Sequence, residues 1–194
     1  MSAAYPPPPD VIRGRVAWVF GDDFDIDLVV GVENIKSYDA DHLRSVCMQA
    51  YDPDFVDRVR PGDVVVGGRN FGYGHPHYPP MVALRNLGIQ AVLAESFSPG
   101  FWRGETYNGM PLLTVPGIAD AVETGDAVEV DWRRARVLLP AAALPRELHG
   151  DPPSPRTCRV IEAGGSLNLL LAEHGPRATP TDPTATASTT GALR

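Results

Sequence analysis

The stretch from Gly67 to Pro80 (GGRNFGYGHPHYPP) constrains this chain more than any other. It follows an apolar, β-branched run, Asp63-Val64-Val65-Val66. It precedes a helical pattern, Met81 to Leu87, that closes on Gly88. The order is therefore strand, glycine-rich loop, and a helix whose first turn holds prolines. Glycines at 67, 68, 72 and 74 let the loop backbone adopt positive φ and come close to a ligand. The helix N-terminus beyond the loop is expected to offer unpaired N–H groups and a positive dipole end to an anion. His75, His77 and Tyr78 stand where such a ligand would sit, although the pattern alone also describes a tight turn with surface histidines.

Gln90-Ala91-Val92-Leu93-Ala94 supplies a second apolar strand directly after that helix. Residues 63–94 thus read as a β-loop-α-β unit, which demands a parallel sheet. A first strand is predicted over Val11 to Phe20, with a buried strand resuming at Leu28-Val29-Val30. Between them, Gly21 to Asp27 holds four carboxylates. The cluster reads as a solvated turn, an oxygen site or part of an active site, but it lacks the glycine and terminal glutamate of an EF-hand. Short helices are predicted through His42–Met48, Pro53–Val59, Ser96–Arg103 and Ile118–Glu123, and a further strand at Leu112–Val115. Ala127–Asp131 and Arg136–Leu139 read as a hairpin, 145–155 as a proline-rich connection, and Thr157–Glu173 as helix interrupted at Gly164-Gly165. The expected organisation is a proline-rich flexible arm at 1–10, one mixed α/β domain at 11–174, and a disordered tail at 175–194. Phe101 and Trp102 are expected in the core. His42, His149 and His174 read as structural or solvated.

Charge and cysteine content narrow the function. Seventeen basic residues against 24 acidic ones disfavour nucleic acid or an anionic membrane surface as a partner. No apolar run is long enough to span a bilayer, and the N-terminus has neither the basic nor the apolar region of a secretory signal, so a cytoplasmic protein is expected. Cys47 and Cys158 share no metal-ligand spacing and read as reduced thiols. Two cysteines do not suffice to hold an iron–sulfur cluster.

Several stretches fall into one known order. Phe20–Val30 (FGDDFDIDLVV) resembles the GDNIDTDxII opening of 3-isopropylmalate dehydratase small subunits. Asp52-Pro53-Asp54-Phe55 with Arg60-Pro61-Gly62-Asp63-Val64-Val65-Val66 is similar to DPDF…KPGDIIVAG, and Asn70-Phe71-Gly72-Tyr73-Gly74 to NFGCG. Gly88-Ile89 to Glu95-Ser96-Phe97, Asn108 to Leu113, and Ile161 to Gly165 resemble GIxAVIAxSF, NxGLPLL and ILEAGG. The resemblance covers residues 11–172 and implies an aconitase swivel-like β/β/α domain, a mixed sheet with flanking helices. It further implies a small subunit of an aconitase-superfamily hydro-lyase, acting on a hydroxy acid with an aconitase-type large subunit that carries a [4Fe–4S] cluster. None is bound by this chain, and no metal site is expected on it.

The departures from the family pattern fall in the chemistry. After GCG the family continues SSREH-AP, with the first serine as base and the arginine on a substrate carboxylate. Here those places hold His75 and His77, followed by Tyr78. A second basic position is Glu33, and the threonine of DTD is Ile26. Imidazole is a sensible replacement base, since its unperturbed pKa of about 6.5 lies near working pH. The resemblance therefore implies His75, His77 and Tyr78 as catalytic residues. It implies Asn70, Gly72, Tyr73, Gly74, Asp25, Asp27 and Glu33 around the substrate, which would differ from isopropylmalate and citrate. Asp25 and Asp27 also read as acceptors that order the loop. Two alternatives stay open: a non-catalytic swivel subunit that stabilises its partner, and a metal site built from His75 and His77 with Asp25 or Asp27.

Overall fold

The computed structural model describes residues 5–140 and 145–175. The first four residues, 141–144, and the tail expected beyond Gly175 lie outside them. One seven-stranded mixed sheet runs through the molecule in the order β4-β3-β2-β1-β5-β6-β7. Its strands are β1 (Val11–Val19), β2 (Val64–Gly67), β3 (Ala91–Ala94), β4 (Leu112–Thr114), β5 (Ala127–Asp131), β6 (Arg136–Leu139) and β7 (Arg146–His149). Helices α1 (Ala40–Val46), α2 (Phe55–Arg58), α3 (Pro79–Leu87), α4 (Pro99–Tyr107), α5 (Ile118–Ala121), α6 (Pro155–Glu162) and α7 (Ser166–His174) flank it.

β1 to β4 are parallel, and β1/β5, β5/β6 and β6/β7 are antiparallel. β1 joins the two halves. Its first residues, Val11 to Arg15, pair with β5, and its last, Val16 to Val19, pair with β2 after a register shift. At this junction Gly14 leaves room for the turn that enters β2, since a Cβ there would lie 2.2 Å from the Gly62 carbonyl oxygen.

The parallel half is covered on both faces, which explains why β2 and β3 are apolar at every position. Alternation divides them between two cores. Val65, Val92 and Ala94 point to one, with Phe55, Phe71, Met81 and Leu84; Val64, Val66, Ala91 and Leu93 point to the other, with Trp132 and Ile161. Helix α3 begins with Pro79 and Pro80 and ends on Gly88 in the left-handed region, so both boundaries follow from residue type.

Four expectations change. Leu28-Val29-Val30 is not a strand: Ile26–Val29 forms one turn of 3-10 helix, capped by the Asp25 side chain, with Leu28 turned to solvent. Residues 145–155 contain a seventh strand, β7, paired with β6 at the sheet edge. Trp102 is 39% exposed, while Phe101 beside it is buried. Finally, residues 5–10 dock against the domain, in contrast to the free arm expected. The Trp132 indole donates to the Pro9 carbonyl at 2.9 Å, Asp10 pairs with Arg133, and the Tyr5 ring covers the Arg85 guanidinium at 3.6 Å.

Candidate active site

The loops leaving β1, β2 and β3 meet at the carboxyl ends of the parallel strands, where open α/β sheets place their ligands. Backbone hydrogen bonds lace them together. Gly68 N donates to Phe20 O at 3.1 Å, Phe71 N to Ser96 O and Ser98 N to Phe71 O, both at 2.9 Å. Beneath them is an aromatic floor: Phe24 stacks on Phe71 at 5.9 Å, and Phe71 meets Phe101 edge-on at 5.6 Å. Gly72 is required by this floor. Its φ is +79°, and a Cβ would fall 2.2 Å from the Phe101 ring. Gly72 is thus a packing residue, buried with its N–H on the Phe24 carbonyl at 3.0 Å.

The acidic segment Asp22–Asp27 cradles the glycine-rich loop. Asp22 Oδ1 accepts from Arg69 N at 2.6 Å, and Asp23 Oδ1 from the Asn70 side-chain amide at 2.7 Å. Asp25 Oδ1 accepts from Asp27 N at 3.0 Å, and its backbone bridges Tyr73. Asp27 grips His77 twice: Oδ1 accepts from the backbone N–H at 3.0 Å, and Oδ2 lies 2.7 Å from Nδ1. Three of the four carboxylates therefore hold the loop. The expectation of loop-ordering acceptors describes them.

The sequence-predicted residues separate into groups. His75 and His77 come together, with ring centroids 5.3 Å apart at 76°. His75 is exposed and takes no hydrogen bond among the described residues, whereas the His77 side chain is 34% exposed and anchored. Tyr73 and Gly74 lie exposed on the same rim, with Gly74 against the Asp25 carboxylate. Asn70, at φ +52°, is engaged at both ends, its backbone N–H donating to Ser96 Oγ at 2.8 Å. Tyr78 lines a cavity of about 240 Å³ with Tyr5, Leu43 and Val82, and its hydroxyl pairs with that of Tyr5. Glu33 folds its carboxylate over Gly31 and shares no hydrogen bond with the loop among the described residues. Ser96 and Ser98, whose hydroxyls fix Asn70 N and Gly72 O, are supporting residues that sequence reasoning missed; their one signal was the Ser-Phe-Ser run after β3.

The anion site expected at the α3 N-terminus is reduced. Pro79 and Pro80 occupy its first two positions and carry no N–H, and Val82 N already donates to Tyr78 O at 3.2 Å. Among the described residues, no group of three or more His, Cys, Asp or Glu side chains converges as a metal site. The thiols are also separated. Cys47 is sealed in one core cluster, where burial pushes it up to about 12, and Cys158 packs against the cluster on the other face. This chain offers no thiolate set for an iron–sulfur cluster.

With this geometry in hand, comparison with known proteins is decisive. No family model matches the chain. The small subunit 1 of 3-isopropylmalate dehydratase from Methanopyrus kandleri is 40% identical over 169 residues, 87% of this chain and 97% of that one. The methanogen homoaconitase small subunit from Methanothermobacter thermautotrophicus is 35% identical over 83% of this chain and 91% of its own. A crystal structure of 3-isopropylmalate dehydratase from Methanocaldococcus jannaschii superposes with a TM-score of 0.75 at 30% identity, covering 84% of this chain and 95% of that one. The fold and site define an aconitase-superfamily swivel domain. The chain belongs to the family of 3-isopropylmalate dehydratase small subunits.

Proposed function

We propose that this chain is the small subunit of a cytoplasmic hydro-lyase that dehydrates or isomerises a small hydroxy acid other than isopropylmalate, completing the active site of a cluster-bearing large subunit. Family membership supports the reaction class and the partner. Among the described residues no helix is long and apolar enough to cross a membrane, which accords with a cytoplasmic assembly. The separation of Cys47 from Cys158 accords with a [4Fe–4S] cluster held by the partner. When bound, such a cluster supplies a Lewis acid for the substrate's hydroxyl and carboxylate.

The observation that carries the substrate reading is the paired imidazoles of His75 and His77, standing where the family resemblance implies a serine and an arginine. A bidentate arginine grips a carboxylate through two parallel hydrogen bonds; an imidazole offers one donor at a time. Glu33 adds a negative charge where a second basic group is implied. A substrate with one fewer carboxylate, or a neutral second group, fits this rim better than isopropylmalate. In the reaction, the loop supplies an imidazole to accept the proton from the carbon beside the retained acid group. Tyr73, Gly74 and Asp25 border the substrate's position, and Asn70 and Gly72 hold the loop that presents it. Tyr78 closes the loop at the start of α3.

Co-expression with a cluster-bearing large subunit, followed by turnover assays on a panel of hydroxy acids, tests the reading. The pair should dehydrate a hydroxy acid, with isopropylmalate and citrate as poor substrates, and the isolated chain should be colourless and inactive. Ordinary efficiency on isopropylmalate removes the substrate reading. Stable assembly with no turnover on any hydroxy acid favours the non-catalytic alternative.

A further inference from the structure

Resting on that reading, we infer that His77 is the proton-accepting residue of the site, that Asp27 is its positioning residue, and that His75, although first in the loop, is not the base. The two histidines differ in what holds them. His75 is exposed, without a hydrogen bond among the described residues. His77 is fixed at two points by one carboxylate that is only 6% exposed. A carboxylate can only accept, so the 2.7 Å contact places the hydrogen on Nδ1. The lone pair is thereby assigned to Nε2, and the backbone contact at 3.0 Å prevents the ring from drifting. The arrangement of buried acid, oriented imidazole and free Nε2 is the one that generates a general base elsewhere.

The step balances without further reagents on this side of the site. The substrate's α C–H proton passes to Nε2 of His77, and the electron pair of that bond becomes the new π bond. The C–O bond breaks and the hydroxyl departs with its electron pair as hydroxide, to the Lewis acid supplied by the partner subunit. Proton and hydroxide together are one water. Asp27 stabilises the imidazolium formed and is not itself protonated.

Asp27→Asn separates positioning from mere support. In that variant the amide oxygen is claimed by the His77 backbone N–H, which accepts no substitute. The side-chain NH2 then faces Nδ1, which must become the acceptor, so the hydrogen moves to Nε2 and the lone pair is lost from the reacting side. Nitrogen-15 NMR of the full isolated chain reads this directly: wild type should show the Nδ1–H tautomer of His77, and Asp27→Asn the Nε2–H tautomer. With the large subunit, Asp27→Asn and His77→Gln should each lower kcat about 100-fold or more with KM within about threefold, while His75→Gln should lower kcat less than about tenfold and act mainly on KM. An Nε2–H tautomer in wild type, turnover near normal in Asp27→Asn or His77→Gln, or a larger kcat loss in His75→Gln than in His77→Gln, overturns the assignment. The wild-type pair's own turnover tests the hydro-lyase reading, whereas the variant-to-wild-type ratios test His77, so the two failures are told apart.

Discussion

Helix α3 has a buried carboxylate near each end, and the two are treated in opposite ways. Beside its N-terminus, Asp27 has both oxygens engaged by His77. Beside its C-terminus, Glu105 is equally buried, yet only one oxygen has a partner: Asn108 Nδ2 donates to Oε1 at 3.1 Å, and Oε2 has none. Arg85, in the last turn of α3, donates instead to the Asn108 carbonyl at 2.8 Å and is capped by the Tyr5 ring. A charge with both oxygens satisfied can stay ionised in a low-dielectric setting, while a half-satisfied one is pushed towards its neutral form. The first arrangement builds a site and the second stores pH sensitivity.

Breaking the Asp27 end should have the largest effect. Asp27→Ala leaves the His77 amide and Nδ1–H without an acceptor in a closed setting, a loss of about 2–4 kcal/mol for two orphaned donors. The loop should loosen, and turnover with the large subunit should fall by about two decades or more. Urea unfolding of the isolated chain and kinetics of the assembled pair measure the two losses separately. A stable, active variant would mean that Asp27 neither holds the loop nor orients the imidazole.

The Glu105 end should show itself through pH. Burial raises its carboxyl to about 7, against the lowering effects of the Asn108 hydrogen bond and Arg85. Between its unfolded value and about 7 the native state therefore binds more protons than the unfolded chain, so stability falls as pH rises through that window. The contribution is fully present below the unfolded value and is lost above about 7, a span of roughly 3 kcal/mol by the size of the shift. Glu105→Gln removes the titration and should flatten the dependence between pH 5 and 8, read by urea unfolding at both. An unchanged slope would place the pH dependence elsewhere.

The contrast also shows what a sequence can and cannot disclose. The parallel half was legible because each signal is local: a β-branched run, a glycine loop, prolines at a helix start, a glycine at its end. The edge strand β7 was not, because Arg146-Glu147-Leu148-His149 shows no apolar face; it is held by pairing with β6 and by Glu147 beside Arg136 and His149, and charge suits an exposed edge. Leu28-Val29-Val30 misled because an apolar triplet fits a strand or a buried turn equally. The Asp25 cap, a tertiary arrangement of the loop, decided it. At the site, residue types were readable and roles were not. Asp27 and His77 are fifty residues apart, so no spacing rule links them, and the docking of Tyr5 on Arg85 depends on an arm whose composition promises only an extended chain.

The smallest expected effect tests whether the two ends of α3 speak to each other. Tyr5 touches both: its ring covers Arg85, and its hydroxyl pairs with Tyr78, one residue beyond His77. Burial, and next the Tyr78 hydroxyl, push the Tyr5 phenol above its ordinary value, so it stays neutral and able to donate. Tyr5→Leu removes the cation–π contact and should cost about 1 kcal/mol. Tyr5→Phe keeps the ring, loses only the hydroxyl, and should cost about 0.5–1 kcal/mol. If the ends are independent, both variants leave kcat of the assembled pair within about twofold, and Tyr5→Phe adds to Asp27→Asn without an interaction energy. A kcat change in Tyr5→Phe comparable to that of His75→Gln would show instead that the arm sets the position of the loop through Tyr78. In that case the proline-rich segment would belong to the active site and not only to the fold's stability.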